Sequence, residues 1–272
     1  APKGICKVKI TGGEPLVRKN AAELVSMIKS IPGIDNVTLT TNGILLGEQI
    51  QDLARAGIDA VNISLDALTE DMFEKITRRK GLDRVLEGMD KALQFPHVRV
   101  KVNCVLLHGV NEDQWIPIAG FAKDRPVDVR FIEMMPIGYG RKYCGEETED
   151  HVRHLLEGAY GKADSLSGRF GNGPSTYMQL EGFKGKIGFI SAISHKFCED
   201  CNRVRLTSEG FLKPCLQFSH GADMRSLLRD GSSDEQIGIV AEKTIFEKPR
   251  SHRFGEDREE GLENKKMSEI GG

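Results

Sequence analysis

Five short β-branched segments alternate with helical stretches across the first half of the chain, and this repeat narrows the fold more than any other feature. The strand-like segments are 5–11 (ICKVKIT), 36–41 (NVTLTT), 59–66 (DAVNISLD), 98–107 (VRVKVNCVLL) and 127–134 (VDVRFIEM). Between them stand AAELVSMIKSI, LGEQIQDLARAG, LTEDMFEKITR with DRVLEGMDKALQF, and EDQWIPIAGFAKD, whose apolar residues recur at helical spacing. Linkers of that length exclude hairpins, so successive strands are expected to pair in parallel. Asn20 is placed to cap the first helix, and Gly33 and Gly57 sit where helices should stop.

Each strand splits into an oily and a polar face. Lys7, Lys9 and Thr11 oppose Val8 and Ile10, and Thr38, Thr40 and Asn42 oppose Val37 and Leu39. The split recurs in Asn62, Ser64 and Asp66 against Val61, Ile63 and Leu65, and in Arg99, Lys101 and Asn103 against Val98, Val100 and Val102. It recurs again in Asp128 and Arg130 against Val127 and Val129. Parallel sheets usually read as continuous apolar runs because both faces are covered. A polar, partly cationic face on parallel strands therefore predicts a curved, barrel-like sheet with a wet interior and a polar occupant.

A net charge of −2 over 272 residues gives no global attraction to nucleic acid or to an anionic membrane, so affinity for phosphates has to come from local placement of Lys and Arg. No apolar run approaches the roughly 20 residues of a membrane-spanning helix, and the start APKGICKVKI lacks a secretory apolar region. A soluble intracellular protein is expected, cytoplasmic or, in a eukaryote, of the mitochondrial matrix. Ala1 runs within a few residues into a strand, which reads as a chain whose preceding residues have been removed.

After residue 136 the pattern changes. IGYGRKYCGEETED is rich in Gly and charge; a helix follows, then strand-like STYMQLEG and KIGFISAIS, then a cysteine cluster. The division expected is 1–136 as a partial barrel, 137–250 as a second, non-barrel region, and 251–272 as a charged, flexible tail.

The strongest chemical signal is Cys198-x2-Cys201-x13-Cys215. Thiolates are soft ligands that suit zinc or an iron–sulfur cluster, and three of them leave one position short. His195, three residues before Cys198, could close a structural Cys3His zinc site; a 4Fe-4S cluster on the same three cysteines would keep one iron open. Spacing alone does not choose between them. Arg203 and Arg205 follow at alternate positions and would project together beside that centre, which suits a polyanion, as do Lys7, Lys9, Lys101 and Arg130 from the polar strand faces. Taken singly, each of these cations reads equally well as a solvated surface charge. Gly12, Gly13 and Glu14 at the end of the first strand permit close backbone approach to a ligand and an acceptor for an ammonium group, or simply make a turn.

GGEP after a first strand, TTNG (40–43), NISLDA (62–67), KVNCVLLHGVNED (101–113), VRFIEMMP (129–136), FCEDCNRVRLTSEGFLKPCL (197–216) and a terminal Gly-Gly together resemble the GTP 3′,8-cyclase family of molybdenum cofactor biosynthesis, in the radical S-adenosylmethionine superfamily. The resemblance implies an α/β fold, an incomplete (βα)6 TIM-like barrel lacking its first strand, with a C-terminal α+β region carrying an iron–sulfur cluster. It implies two 4Fe-4S clusters in the intact parent, the second held by Cys198, Cys201 and Cys215 with its open iron on the purine of GTP. Lys7, Lys9, Lys101, Arg130, Arg203 and Arg205 match positions lining the GTP pocket; Gly12, Gly13, Glu14, Thr40, Ser64 and Met135 match positions around S-adenosylmethionine. Gly271 and Gly272 resemble a terminus that inserts into the active site and is needed for activity. The implied reaction converts GTP to 3′,8-cyclo-7,8-dihydro-GTP, on which a cyclic pyranopterin monophosphate synthase then acts, and a homodimer is compatible with the family.

The family's CxxxCxxC, which ligates the radical-forming cluster, does not occur in these 272 residues, so the chain by itself is expected to be inactive. Lys9 stands where the family commonly has Arg, and Cys6, Cys104 and Cys144 read as small filling. The competing expectations are a nucleotide-binding or scaffold module with structural zinc, and a peptide-modifying member of the same superfamily.

Overall fold

The computed structural model describes residues 3–145, 147–168, 170, 173–254, 261–263, 265 and 267–270. Gly271 and Gly272 lie outside the described residues.

The alternating segments form β1 (Lys7–Ile10), β2 (Asn36–Thr41), β3 (Ala60–Ser64), β4 (Arg99–Val105) and β5 (Asp128–Ile132), each parallel to the next. The crossovers carry α1 (Ala21–Lys29), α2 (Leu46–Arg55), α3 (Glu70–Thr77), α4 (Leu82–Ala92), α5 (Trp115–Ala119) and α6 (Phe121–Asp124). The oily strand faces drive the packing: Val37, Leu39, Val61, Ile63, Val102 and Val129 are buried against Val25, Leu46, Leu53, Val85, Met89 and Ile118 of the helices. Gly57 ends α2 with φ +88°, a left-handed turn that a side chain would oppose. Asn20 does occupy the N-cap of α1, but in a left-handed conformation with its amide donating to Glu23 at 2.9 Å, so it caps no backbone N–H.

The sheet continues beyond residue 136. After α7 (Glu149–Tyr160) come β6 (Ala163–Leu166), β7 (Thr176–Leu180) and β8 (Ile187–Ile190), and the strand order is β1-β2-β3-β4-β5-β8-β7-β6. β8 joins β5 as a sixth parallel strand, while β7 and β6 return antiparallel. The turn into β8 requires Gly185: its N–H donates to the Ala122 carbonyl at 2.8 Å, and a Cβ there would meet the Val127 carbonyl oxygen at 2.0 Å. The sheet curls far enough for Lys7 of β1 and Tyr177 of β7 to face one cavity, giving an incomplete barrel rather than a flat sheet.

Beyond it, β9 (Arg205–Leu206), β10 (Phe211–Lys213) and β11 (Ala222–Asp223) make a small antiparallel sheet, followed by α8 (Met224–Arg229) and α9 (Asp234–Phe246), the latter opened by a Ser233–Gln236 capping box. Of the charged C-terminal stretch, several described residues are anchored beside this sheet. Ser219 N–H donates to Gly261 and Glu263 N–H to Gln217; Glu263 pairs with the buried Lys213, and Ile270 of α10 (Met267–Ile270) is buried. Composition reports the charges of such a stretch but not these few anchors. Among the described residues, no helix is long and apolar enough to cross a membrane.

Candidate functional site

The polar strand faces converge in the lumen. Lys7 and Lys9 of β1, Thr38 of β2, Ala60 and Asn62 of β3, Arg99 and Lys101 of β4 and Arg130 of β5 line one cavity, closed below by Phe170, Gly173, Ser175 and Tyr177. The space between them is about 520 Å³ including its open mouth. Strand register explains the convergence: Lys9 lies beside Thr38, Thr38 beside Ala60, Asn62 beside Lys101, and Arg130 beside Gly188, which in turn faces Tyr177. Gly188 is what admits the tyrosine, since a Cβ there would meet the Tyr177 ring at 2.8 Å and the Arg130 stem at 3.0 Å.

Charge in this lumen is unbalanced. Lys101, 7% exposed, donates to the Tyr177 hydroxyl at 3.0 Å and pairs with Asp128 at 3.2 Å. Among the described residues, Asp128 is the one carboxylate that pairs with a lining cation. Arg130, equally buried, donates to Asn103 at 2.9 Å and to Asn62 through a short bond. Burial lowers its pKa, with Tyr177 and Asp128 opposing. Lys9 keeps an exposed side chain at the open edge strand and has no hydrogen-bonding or ionic partner among the described residues; partial desolvation by the lumen wall, then Arg130, Lys7, Arg203 and Arg205, bring its pKa down to about 7. Burial and the neighbouring Arg99, Lys101 and Arg130 lower Lys7 in the same way. Two lining hydroxyls, Thr38 Oγ1 and Ser175 Oγ, are buried without a partner. Surplus cations together with unsatisfied hydroxyls form a surface complementary to a polyanion.

Cys198 and Cys201 sit on the loop between β8 and β9, and Cys215 follows β10. Cys201 N–H donates to the Cys198 carbonyl at 3.1 Å, which folds the CxxC into a turn. Arg205 lies close enough to be influenced by Cys201 and Cys215; burial and Arg203 lower its pKa to about 10 against the pull of those two sulfurs. The two arginines are therefore beside both the cysteines and the mouth of the cationic lumen, as their alternation predicts.

The donor set fits an iron–sulfur cluster. Burial raises the Cys201 thiol, but the Arg203 N–H, the Arg203 guanidinium and Lys248 outweigh it and bring the pKa to about 7, within reach of the thiolate a cluster requires. His195 has its Nδ1 3.1 Å from Ser194 Oγ and 3.8 Å from Glu149 Oε2. Away from the cysteines, His108, Glu112 and Glu147 bring their ligand atoms within 4.8 Å of one another. Cys104 and Cys144 are at least partly buried and burial raises both thiols, as filling residues; Cys6 is exposed beside β1, contrary to that reading, because the strand edge there is open.

Gly12, Gly13 and Glu14 follow β1, Thr40 and Ser64 close β2 and β3, and Met135 follows β5, so all six lie along the carboxyl edge of the parallel sheet, where ligands of such folds bind. Glu14 already accepts from Leu16 N–H at 3.0 Å, Thr41 Oγ1 at 2.7 Å and Asn42 N–H at 2.6 Å, which ties the ends of β1 and β2 together and leaves limited capacity for a further donor.

Residues 1–122 match the Radical SAM superfamily and residues 127–254 match Molybdenum Cofactor Synthesis C. The GTP 3′,8-cyclase of Clostridium perfringens (strain 13 / Type A) is 46% identical over 269 residues, covering 99% of this chain and 82% of that protein. The chain belongs to the GTP 3′,8-cyclase family. The GTP 3′,8-cyclase of Alkaliphilus metalliredigens (strain QYMF) is 42% identical over 100% of this chain and 83% of that one. Among solved structures, a domain of pyruvate-formate lyase-activating enzyme from Bacteroides vulgatus aligns at TM-score 0.46 and 15% identity, covering 66% of this chain and 98% of that one. Membership of the radical SAM superfamily brings with it a 4Fe-4S cluster and S-adenosylmethionine.

Two parts of this family member's site lie outside its motifs: Tyr177 of the returning β7 with Ser175 just before it, and Lys248 and His252 of the charged C-terminal stretch. Glu133, 4% exposed just after β5, accepts from Ile193 N–H at 2.8 Å and Ser194 N–H at 3.0 Å, and so anchors the start of the cysteine loop to the barrel. Glu133→Ala would remove the acceptor of two part-buried N–H donors, each hydrogen bond worth about 0.5–1.5 kcal/mol net. We expect a lower midpoint in thermal unfolding, with Glu133→Gln, which keeps an acceptor, falling less.

Proposed function

We propose that the chain binds GTP in the cationic lumen and presents it for cyclisation, acting in molybdenum cofactor biosynthesis as a GTP 3′,8-cyclase. The observation that carries this reading is the meeting of surplus lumen cations and orphaned buried hydroxyls with a three-cysteine centre at the lumen's mouth. Lys7, Lys9, Lys101 and Arg130 neutralise the triphosphate, and Thr38 and Ser175 donate to its oxygens. Tyr177 holds Lys101 in place from below. Arg203 and Arg205 bridge the triphosphate to the nucleoside end, so the ribose and base lie toward Cys198, Cys201 and Cys215, which hold a 4Fe-4S cluster by three corners. Gly12, Gly13, Glu14, Thr40, Ser64 and Met135 cradle S-adenosylmethionine on the carboxyl edge above the ribose.

When bound, that cofactor and its own cluster supply the radical that takes a ribose hydrogen, after which the sugar carbon bonds to carbon 8 of guanine. The lumen's part is to hold one geometry and to keep water from the ribose. The ligands of the radical-forming cluster are not among these 272 residues, so turnover depends on a second set of cysteines. The cyclised nucleotide passes to a cyclic pyranopterin monophosphate synthase.

The test is anaerobic reconstitution followed by metal analysis and GTP titration. The expected result is a brown protein with about four irons per chain, lost in Cys215→Ser, and GTP affinity lost on exchanging Arg203 and Arg205 for glutamine. Zinc bound through His195, or GTP affinity indifferent to the arginines, sinks the proposal.

A further inference from the structure

The three cysteines stand on two separate segments, and a third segment closes over them. Lys248, just beyond α9, places its ammonium 2.6 Å from the Cys201 carbonyl, 2.8 Å from the Arg203 carbonyl and 3.2 Å from Cys201 Sγ. An ammonium has three protons, and these three acceptors use all of them. Four residues on, the His252 backbone N–H points at Cys198 Sγ from 3.4 Å. The His252 ring is pinned at both nitrogens: Nε2 donates to the Ala192 carbonyl at 2.6 Å and Nδ1 accepts from Phe254 N–H at 3.3 Å. Next along, Arg253 N–H donates to Gln217 Oε1 at 2.6 Å, two residues past Cys215. One short strap thus touches the surroundings of all three cysteines and donates directly to two of the sulfurs.

We propose that Lys248 is a positioning residue of the three-cysteine centre: it locks the Cys198–Arg203 loop and, through a charge-assisted N–H···S bond, draws electron density from the Cys201 sulfur and makes the bound cluster easier to reduce. The proposal rests on the cluster reading of those cysteines given above. Its physical basis is general. Hydrogen bonds to ligating sulfurs and nearby positive charge set the potential of an iron–sulfur centre, and outer partners of a metal ligand govern retention as well. A lysine is suited to the role because its compact charge reaches two carbonyls and a sulfur from a single atom, which a planar guanidinium cannot reproduce. The same grip fixes the backbone on both sides of Asn202 and so sets where Arg203 starts, which couples the centre to the mouth of the lumen.

The test compares the full chain with Lys248→Met, which keeps the stem and removes the charge, and Lys248→Gln, which keeps an N–H donor without charge. All are reconstituted anaerobically and followed by redox titration with electron paramagnetic resonance. Relative to the unaltered chain, both variants should show a midpoint potential displaced to more negative values, and iron transfer to a chelator about ten- to a hundredfold faster. Lys248→Arg should recover part of the potential but not the retention. If the unaltered chain carries its cluster and the two neutral variants match it in potential and in iron loss, Lys248 has no such role and only this inference falls. If the unaltered chain takes up no iron, the cluster reading falls and this inference with it. Should Lys248→Met fail to fold by circular dichroism, Lys248→Gln decides.

Discussion

Arg130→Met should lower the affinity for GTP about a hundredfold or more and also lower the melting temperature of the ligand-free chain, whereas Lys9→Met should lower the affinity and raise the melting temperature. The affinity losses share a cause. A charge-assisted hydrogen bond to a phosphate oxygen is worth about 1.5–3 kcal/mol, and ~1.4 kcal/mol is a factor of ten. Arg130 can present two parallel N–H groups where Lys9 presents a point charge, so its removal costs more. The stabilities move apart because the two cations are held differently in the empty lumen. Arg130 is nearly buried and satisfies the side-chain carbonyls of Asn103 and Asn62, and methionine would leave both without a donor. Lys9 satisfies nothing among the described residues and is repelled by Arg130, Lys7, Arg203 and Arg205, so its charge is a strain that the fold tolerates. Calorimetric titration with GTP and thermal unfolding without it measure both. Equal signs of the melting shift in the two variants would mean that the lumen is not crowded with cations in the way described.

The strain in that lumen was legible in the sequence to the extent that strands were. Lys7, Lys9, Lys101 and Arg130 fall on polar faces opposite Val8, Ile10, Val100, Val102 and Val129, and strict period-two alternation on parallel strands allows few other arrangements. Arg203 and Arg205 were legible for the same reason, two positions apart and next to a CxxC. The floor was not. β8 reads IGFI, an apolar run with a glycine where a lumen-facing side chain would otherwise announce itself, and its pairing with β5 bridges a long intervening stretch of chain. Without that pairing nothing places Tyr177 and Ser175 under the cations. Lys248 and His252 sit in a stretch rich in charge and poor in periodicity, where a lysine that grips a sulfur and a lysine in water look alike. Asn20 had the residue type of a cap and the position of a cap, and its backbone took the left-handed conformation instead.

GTP affinity should fall as pH rises above about 7, while the stability of the empty fold rises over the same range. Both follow from Lys9, whose pKa partial desolvation and the facing charges of Lys7, Arg130, Arg203 and Arg205 bring down to about 7. Unfolded, a lysine titrates near 10.4, so between about pH 7 and pH 10 the unfolded chain carries a proton here that the folded chain has released. More protons on the unfolded side means that stability increases with pH in that window. Bound triphosphate reverses the local field and restores the proton, so binding above pH 7 takes up a proton from solution and weakens by up to about tenfold per pH unit, while below pH 7 the lysine is already charged and the slope vanishes. Water reaching the exposed Lys9 side chain screens part of the repulsion from its neighbours. Calorimetric titrations in two buffers of different ionisation enthalpy count the protons: up to about one taken up at pH 8.5, where the nucleotide's own phosphates are already ionised. Lys9→Arg, which stays charged throughout, should flatten both slopes and bind GTP more tightly at pH 8.5. A proton count near zero at pH 8.5 in the unaltered chain would show that Lys9 is charged before the nucleotide arrives, and the opposed slopes would then have no source in this lumen.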